Sequence, residues 1–109
     1  MIPWCKAAEM IFTGKIIDSH EAIQIGLINE VVSPSQLMPR AKEWAVTICQ
    51  AAPLAVKAAK EAMIRGCNMD LNDGLRLENA LVSYLVGSED FAEGIKAFAE
   101  KRKPVYKGK

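Results

Sequence analysis

Apolar residues recur along most of this chain at spacings of three and four, which is the period of an amphipathic α-helix. The pattern is clearest near the carboxyl end, where Phe91, Ile95 and Phe98 fall on one stripe. Ser88 precedes this stripe as a helix N-cap, because its hydroxyl can accept a free amide N–H of the first turn. Acidic residues follow Ser88 and basic residues precede Pro104, which suits the helix dipole at both ends. We expect one helix here, which Pro104 ends.

Glycines and prolines divide the rest of the chain into further segments with helical periodicity. The predicted helices are residues 3–13, 19–25, 36–50, 53–64 and 71–86. Residues 27–32 are the only plausible strand, and this strand would need a partner edge that the chain does not obviously supply. The predicted fold class is therefore all-α, with about six helices, one of them short, and at most one short strand.

The helix predicted over residues 71–86 carries two apolar stripes that together cover more than half of its circumference. Such a helix is expected to be buried by more than one neighbour. Glu78 falls inside the apolar arc. It could be a desolvated catalytic acid, or a structural carboxylate paired with an Arg, a Lys or a backbone N–H.

The composition is that of a globular protein, since half of the residues are apolar and a quarter are charged. The formal net charge of +1 is unevenly distributed. Residues 96–109 hold six cations against the single carboxylate of Glu100, a balance of +5, which leaves −4 for the preceding residues. A basic tail suggests an anionic partner. We do not expect that partner to be nucleic acid, because no known nucleic-acid module is visible.

The cysteines and the histidine give little sign of redox or metal chemistry. Cys5, Cys49 and Cys67 are odd in number and form no CxxC pair, so we expect buried, reduced thiols in a cytoplasmic protein. His20 is the only histidine, which leaves a histidine-based metal site without its other ligands. It is either catalytic or a solvent-facing residue at a helix start. The apolar runs are too short for a membrane span.

Phe98 and Lys101 are the candidate binding residues. They stand three positions apart on the predicted final helix, which would place an aromatic ring and an ammonium side by side. Such a pair could serve a flat, anionic ligand, because the ring stacks and the ammonium meets phosphate. The alternative is an ordinary core helix with a solvated basic end.

Three segments carry a resemblance to a known family. Residues 91–104 (FAEGIKAFAEKRKP) resemble the C-terminal signature of the enoyl-CoA hydratase/isomerase (crotonase) superfamily. Upstream, residues 12–14 (FTG) and 22–32 (AIQIGLINEVV) resemble that family's "TG…A…GLVN.VV" segment. The motifs occur in the family's order and cover essentially the whole chain, but they match only the C-terminal part of the family fold.

The resemblance implies that residues 1–109 are a C-terminal helical domain for trimerisation and for the coenzyme A lid. The ligand is an acyl-CoA thioester as substrate, with no further cofactor. In the family, the positions of Phe98 and Lys101 help to bind the adenine nucleotide end of coenzyme A. The thioester oxyanion site and the acid–base carboxylates come from the larger N-terminal part. No catalytic residue and no metal ligand is therefore expected here, and this chain alone is expected to be inactive.

Hydration is the expected activity of the parent, and two alternatives to it remain open. The parent could catalyse reversible hydration of enoyl-CoA to 3-hydroxyacyl-CoA, or it could be another member of the superfamily: an isomerase, a lyase or a thioester hydrolase. The chain could instead be a stand-alone helical interaction module that binds a partner with its apolar faces.

Overall fold

A computed structural model describes residues 2–109 and shows an all-α architecture, which confirms the predicted fold class. The α-helices are α1 (Trp4–Thr13), α2 (Ser19–Gln24), α3 (Leu37–Cys49), α4 (Pro53–Gly66), α5 (Leu71–Val86) and α6 (Glu89–Ala99). A 3₁₀ helix, Pro34–Gln36, leads into α3. The described residues form no strand, so the strand prediction for residues 27–32 is wrong. These residues follow a left-handed turn at Gly26 and have no strand beside them to pair with.

Three helices begin at a side-chain cap, and the cap at Ser88 confirms the prediction made from the sequence. Asp18 Oδ1 accepts the amide N–H of Glu21 at 2.8 Å, and Asp70 Oδ1 accepts that of Asp73 at 3.0 Å. The hydroxyl of Ser88 accepts the amide N–H of Phe91 at 3.1 Å. Each cap satisfies a donor that the first turn of the helix leaves without an intrahelical partner.

The end of α6 differs from the prediction. The helix stops at Ala99, before the three basic residues that were expected to form its last turn. Lys101 adopts a left-handed conformation with φ of 52°, and its N–H donates to the carbonyl of Phe98 at 3.2 Å. The N–H of Arg102 donates to the carbonyl of Ala97 at 3.0 Å. This pair of bonds is a Schellman motif, and it ends the helix before Pro104 can do so.

The described chain divides into two compact units, residues 2–41 and 42–109. In the first unit, α1 and α2 are joined by ion pairs in which Lys6 and Lys15 each contact both Glu9 and Glu21 at 3.1–3.5 Å. The four side chains are 30–42% exposed, so solvent screens these pairs and each contributes little to stability. The network fixes geometry more than it stabilises the fold.

In the second unit, α5 packs mainly against α4 and also contacts α6. Ala58 of α4 and Ala97 of α6 are buried. The expected burial of α5 by several neighbours does not occur within this chain, because Leu75 and Val82 remain 47% and 49% exposed. Among the described residues the buried apolar side chains are all alanines, and no large side chain is fully buried.

Two Gly→Ala substitutions should have opposite effects on stability. Gly74 lies inside α5 with no atom within 4 Å of an added Cβ, so Gly74→Ala should stabilise the chain by about 0.5–1 kcal/mol. Gly14 ends α1 at φ of 65°, so Gly14→Ala should destabilise it by about 1 kcal/mol. Urea unfolding followed by far-UV circular dichroism measures both. Shifts of the same sign would contradict the assigned backbone geometry.

Candidate functional site

An apolar groove with a cavity volume of about 400 Å³ opens in the second unit. Its walls come from the start of α4, the end of α5, one face of α6 and Tyr106 of the tail. The lining residues are Ala52, Leu54, Ala55, Leu85, Ser88, Asp90, Phe91, Gly94, Ile95, Phe98 and Tyr106. The predicted apolar stripe of α6 therefore forms one wall of this groove.

Phe98 and Lys101, the predicted binding residues, lie at the end of α6. The Phe98 side chain lines the groove and is 89% exposed, which is unusual for a residue in an apolar stripe. The prediction that Lys101 lies on the same helix as Phe98 is wrong, because α6 ends at Ala99. The two residues are instead linked through the backbone bond from Lys101 to Phe98. Lys101 is exposed and makes no ion pair with any described residue.

Asp90 anchors the end of the chain to the start of α6. It is only 3% exposed, and its carboxylate accepts the amide N–H groups of Lys107 at 2.6 Å and Gly108 at 2.8 Å. Its own N–H donates to the carbonyl of Lys109 at 3.1 Å. Residues 107–109 therefore run back along the first turn of α6. From the sequence, Asp90 is predicted only to interact favourably with the helix dipole, and its contacts with the tail are not predicted.

Glu93, one turn further along α6, holds the first part of the tail. It accepts Arg102 Nη1 at 2.6 Å, Arg102 Nη2 at 2.9 Å and the amide N–H of Val105 at 2.8 Å. The Arg102 hydrogen bonds, followed by that of Val105, lower the pKa of Glu93 to about 2. Glu93 and Glu100, whose carboxylate meets Arg102 Nε at 2.6 Å, raise the pKa of Arg102 above its ordinary value.

Sequence reasoning missed both anchors. One available signal was the spacing of Asp90 and Glu93, which places two carboxylates on one helix face three residues apart. The other signal was the number of cations in the tail, together with backbone N–H groups for which the sequence predicts no acceptor. Neither signal specifies which donor meets which carboxylate.

Other candidate residues lie away from the groove. His20 is exposed in the first turn of α2, as predicted for a solvent-facing residue at a helix start. Glu78 is exposed on α5 and has no hydrogen bond or ion pair with described residues, so both the desolvated and the paired interpretation are wrong for this chain. The prediction of buried thiols is also wrong, because all three cysteines are free and exposed.

Residues 2–109 offer neither a metal-binding cluster nor a membrane-spanning helix. Within this range, no group of three or more His, Cys, Asp or Glu side chains is arranged to hold a metal ion. None of the described helices combines the length and apolar character needed to cross a bilayer.

Comparison with known proteins places this fold in a family. The model of the family described as "Enoyl-CoA hydratase/isomerase" matches residues 1–109, so the chain belongs to that family. The Bacillus subtilis protein YngF is 44% identical over 103 residues, which cover 94% of this chain and 40% of that protein. The (E)-benzylidenesuccinyl-CoA hydratase of Thauera aromatica is 41% identical over 107 residues, covering 98% and 42% respectively.

Solved structures give the same result. The crystal structure of enoyl-CoA hydratase from Bacillus anthracis matches with a TM-score of 0.92 and 40% identity, covering 95% of this chain and 40% of that one. The chain thus spans about two fifths of the length of these relatives.

The Glu93 contacts predict an acid-dependent loss of stability. A depressed folded-state pKa stabilises the fold above the ordinary value of 4.5, and this contribution is lost as pH falls towards about 2. Glu93→Gln should therefore reduce the decline in unfolding free energy between these pH values. Urea unfolding across this range measures the slope. Glu89→Gln is the matched control, since Glu89 is exposed on the same helix and unpaired within the described chain. Equal slopes for both variants would contradict the Glu93 assignment.

Proposed function

We propose that this chain is the C-terminal helical region of an enoyl-CoA hydratase/isomerase, supplying part of the coenzyme A nucleotide site and an oligomerisation surface. The parent enzyme would reversibly hydrate enoyl-CoA thioesters to 3-hydroxyacyl-CoA. The main support is family membership over the whole chain, combined with its coverage of only about two fifths of its relatives. The Thauera and B. anthracis relatives are both named enoyl-CoA-type hydratases, which favours hydration over isomerisation, lysis or thioester hydrolysis.

Phe98 and Lys101 are the residues proposed to meet the nucleotide. An aromatic ring that is 89% exposed can accept a stacked adenine without moving another side chain. Base stacking of this kind contributes roughly 1–3 kcal/mol. The unpaired ammonium of Lys101 would complement the phosphates that adjoin the adenosine. Five of the six cations in residues 96–109 make no ion pair with described residues, which favours an anionic ligand at this end.

The reacting centre is proposed to lie in polypeptide outside this chain. Hydration of an enoyl thioester needs two N–H donors aimed at the thioester oxygen and at least one carboxylate that places water. The groove beside Phe98 contains Asp90 as its acidic residue, and both carboxylate oxygens of Asp90 accept tail amides. We therefore assign no catalytic residue to residues 2–109.

Self-association is proposed because the helices expose more apolar surface than so short a chain can cover. Leu37 and Ile48 of α3 are 59% and 54% exposed, and Leu71 and Tyr84 of α5 are 77% and 73% exposed. Exposed apolar area on this scale marks an interaction surface. We propose that the parent is a homotrimer located in the cytoplasm, with neither membrane nor nucleic acid as a partner.

Substitutions in the full-length parent test the nucleotide site. Phe98→Ala and Lys101→Ala should each weaken acyl-CoA binding roughly tenfold, as expected for a lost stacking or charged contact. Binding of acyl-pantetheine, which lacks the nucleotide, should hardly change. Lys60→Ala is a control, because Lys60 is an exposed, unpaired lysine of α4. Equal losses for both ligands would remove the assignment.

Lys101→Gly separates backbone conformation from charge. Glycine adopts the left-handed conformation of residue 101 without steric cost, so this variant should be more stable by about 1 kcal/mol. It should nevertheless bind acyl-CoA as weakly as Lys101→Ala. Thermal denaturation and acyl-CoA titration measure the two effects. A variant that is both more stable and fully competent to bind would show that the ammonium is unnecessary.

The isolated chain should associate in solution and should not turn over crotonyl-CoA. Light scattering would report the first property, and a hydration assay the second. A compact monomer would contradict the proposed oligomerisation surface. Measurable hydration would contradict the proposed location of the reacting centre.

A further inference from the structure

Glu93 closes the residues after α6 into a loop that returns to the helix. Its Oε1 accepts Arg102 Nη1 at 2.6 Å and the amide N–H of Val105 at 2.8 Å, while Oε2 accepts Arg102 Nη2 at 2.9 Å. The two parallel Arg–carboxylate bonds form the fork geometry that gives such pairs their strength and directionality. Both partners are partly shielded, with side chains 37% and 21% exposed for Arg102 and Glu93.

Lys101 occupies the middle of this closed loop. Its φ of 52° lies in the left-handed region, where a residue with a Cβ is unfavourable and glycine is usual at a helix end. The backbone bonds of Lys101 to Phe98 and of Arg102 to Ala97 define the turn on its helical side. The contacts of Arg102 and Val105 with Glu93 define it on the other side. Lys101 is therefore held in an unfavourable conformation by contacts before and after it.

Arg102 and Lys101 have different roles within this loop. A guanidinium is the cation type best suited to bidentate phosphate binding. In this chain, however, its Nε meets Glu100 at 2.6 Å and both Nη groups meet Glu93. Nη1 also donates to the carbonyl of Lys103 at 3.1 Å, so four of the five guanidinium N–H donors are occupied, three of them by carboxylates. The neighbouring Lys101 makes no ion pair with described residues. Arg102, whose side chain is the better phosphate ligand by type, thus has a structural role. Lys101 remains available to bind phosphate.

We propose that Glu93 and Arg102 are positioning residues of the coenzyme A site, whose ion pair holds Lys101 so that its ammonium meets the nucleotide phosphates beside Phe98. The proposal rests on the proposed function, since it assumes that Lys101 contacts the nucleotide. It adds two residues that touch neither the thioester nor the nucleotide. It also assigns a purpose to the left-handed conformation at residue 101.

The test uses the full-length parent and compares crotonyl-CoA with crotonyl-pantetheine as substrates. Glu93→Gln keeps an acceptor for Val105 but removes the charge, and Arg102→Lys keeps the charge but removes the fork. Each should raise KM for crotonyl-CoA about three- to tenfold, which lies in the lower part of the range for coupled neighbours. KM for crotonyl-pantetheine and kcat with either substrate should stay unchanged. Glu89→Gln, on the same helix, should change none of these quantities.

A double variant distinguishes positioning from a general effect on the fold. If Glu93 acts through Lys101, Glu93→Gln should not raise KM for crotonyl-CoA further in the Lys101→Ala background. An additive increase would overturn the proposal, as would equal losses on both substrates for Glu93→Gln and Arg102→Lys. These results would leave the proposed function intact if Lys101→Ala alone remained selective for crotonyl-CoA. A non-selective Lys101→Ala would instead overturn the proposed function itself.

Discussion

The attachment of the tail to α6 is the constraint on which the candidate site depends. Two carboxylates on one helix face, Asp90 and Glu93, accept three backbone amides and an arginine fork from residues 102–108. Without these contacts, a short basic tail rich in unpaired lysines would gain little by leaving solvent. With them, Tyr106 forms part of the groove, and the turn at Lys101 is held at both ends.

The packing of the second unit explains why this chain has a well-defined groove and yet a poorly covered surface. Alanines at the contacts let helices approach closely, but they bury little apolar area per residue. Many of the large apolar side chains remain exposed. Local structure therefore comes from caps, turns and the tail contacts. Full burial of the apolar faces requires further protein surface, in keeping with a chain that spans two fifths of its relatives.

The sequence predicts the helices well because their signals are local. Asp18, Asp70 and Ser88 each cap the helix that follows them in the sequence. The apolar stripe of α6 lines the groove. The prediction of a strand over residues 27–32 is wrong, because an apolar segment forms a strand only where a second strand can pair with it.

Predictions that depended on tertiary contacts were less successful. The charges near Pro104 fit a helix dipole and so predict that α6 reaches it, whereas the backbone bonds around the left-handed Lys101 end the helix at Ala99. Asp90 was assigned to the dipole for the same local reason. The positions of Phe98 and Lys101 were found, but the closed loop that relates them depends on contacts up to 12 residues apart in sequence, such as that between Glu93 and Val105.

Amide hydrogen exchange of the tail tests this central constraint most directly. The account predicts that the N–H groups of Val105, Lys107 and Gly108, which donate to Glu93 and Asp90, exchange slowly, at rates similar to those of amides within α6. The N–H of Lys103 precedes them in the tail and donates to no acceptor among the described residues, so it should exchange fast. Uniformly fast exchange from residue 102 to the end of the chain would contradict the account.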